Sequence, residues 1–481
     1  MSLEFGLLVG AILIYLSILI SKTGFKFGIP TLLLFLLVGM AFGTDGIGLQ
    51  FDDARSAQFI GMVAMSIILF TGGLDTKLKD IRPVAVQGIL LSTIGVLLTT
   101  VITGCFIFFL SNYTRVAIAL PLLTCMLLAA TMSSTDSASV FSLLRSQHMN
   151  LKQHLKPMLE LESGSNDPMA YMLTIVLIDI INSGEGISIG NVLWGLLVQF
   201  VLGGLIGFLI GKYAVKLINR INLPNSSLYP ILLLSLVFIT FTVTDFANGN
   251  GYLAVYIAGM VVGNNKLTFC KEINTFMDGM TWLFQIIMFL ILGLLVNPHE
   301  MLDVTVAALL IAAFMMLVAR PLSVYACLLP FKKFNNKARV FTSWVGLRGA
   351  TPIIFATYPV IASIEGSNQL FNIVFFITLL SLLIQGMTIA KVARCLQLDL
   401  PEEKTGNDFG VELPDEIDSK LEDLTLTAEM LQNGNRLADM NLPKGMLVMI
   451  IKRGTQFIVP NGKMELLEGD KLLVIKDGNL K

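Results

Sequence analysis

Leu159-Glu160-Leu161-Glu162-Ser163-Gly164-Ser165-Asn166-Asp167-Pro168 places three acids within ten residues, and a long, largely apolar run, Met169 to Ile181, follows directly. Read as one helix, Glu162 and Asn166 are four apart and share a face. Ser163 and Asp167 share the neighbouring face. Carboxylates beside so much apolar chain are costly unless paired, hydrated or used. A second polar island, Thr131-Met132-Ser133-Ser134-Thr135-Asp136-Ser137-Ala138-Ser139, lies one segment earlier. Two acids on adjacent apolar segments imply a charged site inside a membrane.

Composition agrees. Of 481 residues, 54% are hydrophobic and only 14% charged, whereas a soluble domain carries about 25% charged residues. Mean hydropathy is +0.76. The net charge of −1 gives no basic footprint for a nucleic-acid partner. Cys105, Cys125, Cys270, Cys327 and Cys395 are scattered without metal or redox spacing. Neither a cofactor nor a bound metal is expected. Met1-Ser2-Leu3-Glu4 lacks a basic n-region, so a removable signal peptide is not expected.

A span needs roughly 20 apolar residues, fewer where helices are kinked or buried in the bundle. About thirteen segments follow: 3–21, 29–44, 57–74, 84–110, 116–146, 157–181, 190–218, 228–246, 251–264, 279–296, 304–330, 340–363 and 369–394. Counted this way, alternate loops carry the basic residues, from Lys22 and Lys26 through Lys77, Lys79 and Arg82 to Lys391 and Arg394. The opposite loops hold only Arg55 and Arg115. The positive-inside rule then puts the N-terminus outside and the C-terminus in the cytoplasm.

Arg320 and Arg348 lie within apolar segments rather than loops, where an arginine needs an acid or a carbonyl partner. The segment 340–363 is interrupted by Gly346, Gly349 and Pro352, and 116–146 by its Ser/Thr island. These are the twelfth and fifth segments. An odd offset of seven suggests two inverted repeats with paired broken helices, the sequence pointer to a midplane transport site. The glycine run Gly203, Gly204, Gly207 and Gly211 has helix-packing spacing suited to a subunit contact. Beyond Arg394 the chain turns polar. Met446 to Ile451 and Lys471 to Ile475 read as strands, with turns at Gly454, Asn461-Gly462 and Gly469-Asp470. The expected architecture is an all-α polytopic membrane domain over 1–395 and a small α+β cytoplasmic domain over 400–481.

Glu162-Ser163-x-x-Asn166-Asp167-Pro168, with Thr135-Asp136 upstream and Gly346-Leu347-Arg348-Gly349-Ala350 downstream, resembles the NhaP-type cation/proton antiporters, bacterial relatives of the animal sodium/proton exchangers. The resemblance covers residues 1–395 and implies thirteen helices, a core that moves against a dimer-forming domain, and a homodimer in the bacterial inner membrane. It implies that Asp167 carries ion and proton, and that Thr135, Asp136 and Ser163 complete the cation site. Asn166 replaces the second carboxylate of the electrogenic branch, and Glu162 and Asn166 become partners of a buried arginine. Relatives often have an acid where this chain has Thr71 in Leu69-Phe70-Thr71-Gly72-Gly73, although Asp75 is close. The tail, Leu442-Pro443-Lys444-Gly445 through Ile458-Val459-Pro460 to Gly469-Asp470-Lys471-Leu472, resembles the TrkA-C module of potassium-conductance regulators. That points toward K+ and a small regulatory ligand.

Three function classes compete. An antiporter would exchange K+ or Na+ for H+, one for one, and regulate cytoplasmic pH and cation content. An intramembrane aspartyl protease also uses two aspartates on adjacent helices but needs Gly-x-Gly-Asp, where this chain reads Gly164-Ser165-Asn166-Asp167. A channel would need a repeated filter of carbonyls, and none is evident.

Overall fold

The computed structural model describes residues 3–477 except 28, 50, 52, 115–119, 148, 184–188, 402–418, 428–430, 432–434, 438–445 and 455. The chain forms two compact units, Met1–Pro401 and Glu402–Lys481.

The first unit is helical: α1 Leu3–Phe27, α2 Thr31–Phe42, α3 Ala54–Asp75, α4 Leu78–Tyr113, α5 Leu122–Thr131, α6 Ser137–Ser146, α7 Leu155–Ser183, α8 Ile189–Arg220, α9 Leu228–Phe246, α10 Gly251–Gly263, α11 Cys270–Leu294, α12 Thr305–Leu328, α13 Asn336–Trp344, α14 Thr351–Ile361 and α15 Ser367–Cys395. Among the described residues, 7 helices are long and apolar enough to cross a membrane, and shorter apolar helices accompany them. Every expected segment meets a helix. The fifth and twelfth are each split, into α5/α6 and α13/α14. Single π turns interrupt α4 at Leu91–Gly95, α12 at Met315–Ala319 and α15 at Leu382–Gly386.

Two packing groups share this unit. In one, α3 lies against α10 and α11, α10 against α8 and α9, and α2 against α11. Backbones touch along its seams. A Cβ on Gly259 would lie 2.2 Å from the Phe70 carbonyl oxygen, and one on Gly207 would lie 2.3 Å from that of Ala254. The second contact corrects an expectation. The glycine run of α8 seats α10 of the same chain, because only residues without a side chain admit so close an approach. The other group gathers α4, α5, α7, α12, α14 and α15 around the two broken segments. The groups meet where α3 packs on α14 and α10 on α7.

One element was invisible in the sequence. β1 Met149–Leu151, just after α6, pairs antiparallel with β2 Asp399–Pro401, just after α15. Three residues per strand are too few to leave a periodic pattern.

The second unit holds β3 Ser419–Thr425, β4 Met446–Arg453, β5 Gln456–Ile458 and β6 Lys471–Asp477 in the order β3-β6-β4-β5, all antiparallel. Leu426, Val448, Ile451, Leu466, Leu472 and Val474 form its core. Arg453 grips buried Asp470 in a two-pronged ion pair, Nε to Oδ1 at 2.9 Å and Nη2 to Oδ2 at 2.7 Å. No α-helix occurs among its described residues. Leu442-Pro443-Lys444-Gly445 lies outside them.

Candidate cation site

Each broken segment strands backbone groups that a continuous helix would have paired, and in a membrane each orphan costs several kcal/mol. The two unwound stretches, 132–136 and 345–350, cross and satisfy one another. The Asp136 N–H donates to the Leu347 carbonyl at 2.8 Å. Arg348 Nη1 donates to the carbonyls of Ser133, at 2.8 Å, and of Ser134. It thereby sits at the negative end of the half-helix α5. The Arg348 N–H donates to Ser381 Oγ at 2.9 Å, and Gln385 Nε2 to the Trp344 carbonyl at 2.8 Å. At the other half-helix, the Asp136 carboxylate caps α6, accepting from the Ser139 N–H at 3.1 Å and from its hydroxyl. Gly349 makes room for it: a Cβ there would lie 2.4 Å from Asp136 Oδ2.

Helix α7 runs past this crossing and carries the acids. Glu162, 1% exposed, pairs with Arg320, 3% exposed. Gly346 lets the arginine lie flat; a Cβ there would be 3.0 Å from Arg320 Nε. Arg348, the other candidate partner of Glu162, instead serves the carbonyls at the end of α5. Asn166 is also not an arginine partner. Its amide donates to Thr135 Oγ1 at 2.6 Å and to the Thr135 carbonyl at 3.2 Å. The unwinding exposes the carbonyl and hydroxyl of Thr135 to the amide's N–H groups, while Asn166 Oδ1 is buried with no partner among the described residues. Ser163 Oγ donates to the same carbonyl at 3.0 Å and accepts from the Ser137 N–H at 3.0 Å.

Asp167 stands apart. Its half-buried carboxylate accepts from the Ser134 hydroxyl and, at 3.4 Å, from the Thr351 hydroxyl. Among the described residues it has no salt-bridge partner. It lines a cavity of about 190 Å³ together with Asp136, Ser163, Thr351, Glu160 and Asp75, room for several waters. The cavity runs from the crossing to the ends of α3 and α7 that carry Lys77 and Lys156; Lys156 Nζ lies 3.9 Å from Glu160. Ser134 and Thr351 were not singled out in the sequence. Ser134 adjoins Thr135 in the polar island, and Thr351 opens the half-helix after Gly349-Ala350. No cluster of His, Cys, Asp and Glu suited to a metal ion occurs among the described residues.

The transmembrane family model described as sodium/hydrogen exchanger matches residues 9–395, and the TrkA-C domain model matches 434–478. The chain belongs to the sodium/hydrogen exchanger family. It is a membrane-embedded cation/proton antiporter, not an enzyme. A protein described as K(+)/H(+) antiporter NhaP2, from Shewanella oneidensis, is 38% identical over 97% of this chain and 80% of its own length. The K(+)/H(+) antiporter NhaP of Alkalimonas amylolytica is 38% identical over 84% of this chain and 68% of its own. The Na(+)/H(+) antiporter NhaH of Halobacillus aidingensis is 30% identical over 58% of this chain and 70% of its own. Among solved structures, the sodium proton antiporter MjNhaP1 from Methanocaldococcus jannaschii superposes with a TM-score of 0.68 at 23% identity, covering 80% of this chain and all of that one. That likeness carries the fold.

Proposed function

We propose that this antiporter exchanges one K+ for one H+ at Asp167 in a bacterial cytoplasmic membrane, with its N-terminus outside and its C-terminus in the cytoplasm. The observation that carries the reading is the contrast within α7: Glu162 is neutralised by Arg320, whereas Asp167 faces only hydroxyls and a cavity. A carboxylate so placed takes a proton or a monovalent cation, not both at once. The oxygens of Ser134 and Thr351 stand nearest to complete a cation shell, with Ser163, Thr135 and Asp136 behind them. Carrying the empty, charged site across the apolar barrier is costly, so only loaded states cross, and exchange follows.

Asp136 has both carboxylate oxygens engaged by Ser139 as a helix cap, and Asn166 cannot release a proton. A single titrating carrier exchanges charge for charge. K+ is favoured because two K+/H+ antiporters match most of the chain, and Na+ is the alternative, as in the Halobacillus relative. The cavity's position at the basic end fits a state open to the cytoplasm. The lipid-facing or dimer-forming surface is the exposed apolar face of α8, with Trp194, Leu197, Phe200 and Phe208. The TrkA-C tail would take a small regulatory ligand. In proteoliposomes with an internal pH dye, K+ pulses should drive proton efflux, Na+ pulses less. Solid-supported-membrane recordings should show no sustained current, since a net charge would respond by about 2.3 kcal/mol per 100 mV. Cation pulses that move no protons would end the reading, and a voltage-dependent current would end its stoichiometry.

A further inference from the structure

Helix α10 carries two tyrosines four residues apart, Tyr252 and Tyr256, and neither buried hydroxyl makes a well-formed hydrogen bond among the described residues, although Tyr358 stands beside that of Tyr252 and Thr76 beside that of Tyr256. A buried hydroxyl without a partner costs about 1–3 kcal/mol, so two on one helix call for separate explanations. Tyr252 lies in an aromatic cluster, edge-on to Tyr171 with centroids 4.9 Å apart and to Phe241 at 5.0 Å. Its hydroxyl stands beside that of Tyr358 in the same cluster.

Tyr256 makes no such ring contact among the described residues. It is 1% exposed, and it lines the same cavity as Asp136, Ser163 and Asp167. Its ring lies across the backbone of α7 at Gly164, where a Cβ would come within 2.2 Å of Cε2 and 2.7 Å of the hydroxyl. Gly164 and Asp167 are three apart on one helical face, about 4.5 Å along the axis at 1.5 Å per residue. Tyr256 and Asp167 line one cavity with room for water, so a water can bridge the phenol and the ion's shell. The hydroxyl is also fixed in place. Helix α10 is held against α3 by backbone contact, a Cβ on Gly73 lying 2.3 Å from the Tyr256 carbonyl. It therefore approaches the site from the glycine-seamed group, opposite the crossing that supplies Ser134 and Thr351.

We infer that Tyr256 is a positioning residue for transport: its hydroxyl holds a water of the cation's shell at Asp167 in the state open to this cavity. The inference rests on the antiport reading and specifies which side of the site determines cation affinity there. Gly164 exists, on this account, to admit the ring.

The test compares Tyr256→Phe with Tyr252→Phe, which removes an equally buried hydroxyl away from the cavity, beside Tyr358. Wild-type exchange in proteoliposomes comes first; its absence would fail the antiport reading and not this one. Given exchange, Tyr256→Phe should raise the KM for K+ by roughly three- to tenfold, the loss of one hydrogen bond, with Vmax within about twofold. Cation-induced thermal stabilisation in detergent, where both faces see the salt, should shift to higher K+ concentration by the same factor. The melting temperature without salt should be unchanged, since the ring stays. Tyr252→Phe should leave KM where it was. A wild-type KM in Tyr256→Phe, or an equal rise in both variants, overturns the inference. So does a loss of Vmax with KM unchanged.

Discussion

The crossing of the broken segments and the seam between α3 and α10 are both buried, yet they are held together by opposite means. At the crossing, backbone and side-chain polar groups do the joining: the Asp136 N–H to the Leu347 carbonyl, Arg348 to Ser133 and Ser134. At the seam, glycines let backbones touch, with Gly259 against Phe70 and Gly263 against Leu74. Close apolar packing has one low-energy arrangement, because displacing it forfeits dispersion on every contact. Hydrogen-bonding groups can trade partners with water, protons and ions at small net cost. The difference assigns the parts. On the proposed reading, charge is handled beside the crossing, and the seam gives it a fixed wall.

The sharpest way to break this comparison is at its functional extreme. Asp167→Asn should abolish cation-driven proton flux in proteoliposomes while leaving the protein folded and in the membrane. Near-normal flux would mean that the crossing does not carry the exchange. Next is Glu162→Ala, which leaves Arg320 buried without its acid, at a cost of about 3–5 kcal/mol. Its melting temperature in detergent should fall well below that of Asp167→Asn, whose carboxylate has no arginine to abandon. Equal melting points would show that the pair contributes nothing. At the seam, Gly259→Val should cost about 1–3 kcal/mol by overpacking, because its Cβ meets backbone rather than a flexible side chain. A variant that melts like wild type would mean the seam yields readily.

The smallest effect concerns a contact outside both regions. In the loops, Asp45 accepts from the His299 N–H at 2.8 Å and meets its ring nitrogen at 2.7 Å. The backbone and ring hydrogen bonds of His299 hold the Asp45 carboxyl below its ordinary 3.8. The Asp45 hydrogen bond raises His299 above its ordinary 6.5. The His299 contribution is complete below 6.5 and is lost as pH rises through the raised value. That of Asp45 is complete above 3.8 and is lost as pH falls through the lowered one. The link is therefore fully present between pH 3.8 and 6.5. With only 3 histidines in the chain, NMR of histidine-labelled protein should resolve His299 and find it titrating above 6.5. Asp45→Asn should return it toward 6.5; an unmoved midpoint would remove the pair from the account.

Much of this was legible in advance, for reasons that can be named. Gly346 and Gly349 and the Ser/Thr island break apolar segments, and a break is a local property that composition records. Asp167 stood out because an acid beside Pro168 and an apolar run has few structural uses. The choice between Arg320 and Arg348 was not legible. Both sit in apolar segments, and only the crossing shows that Arg348 is taken by carbonyls. Asn166 was misassigned for the same reason: its partner, Thr135, is a backbone and hydroxyl site created by unwinding. The glycines of α8 gave the right spacing and the wrong partner, since spacing describes one surface and not what lies on it. Tyr256 left no signal at all, because a tyrosine in an apolar helix is ordinary until Gly164 is placed beneath it.

The three-residue ribbon of β1 and β2 has a mechanical meaning. Pro401 is both the last residue of β2 and the last of the helical unit, so a load on the chain beyond it is borne first by that ribbon. The ribbon's other strand follows directly on α6, and α6 begins at the residue next to Asp136. A pull on the chain beyond Pro401 would load this ribbon, and through β1 the end of a half-helix about 15 Å long at 1.5 Å per residue, whose far tip is the crossing itself. Among the described residues, the smallest sheet is the one placed to act as a drawbar.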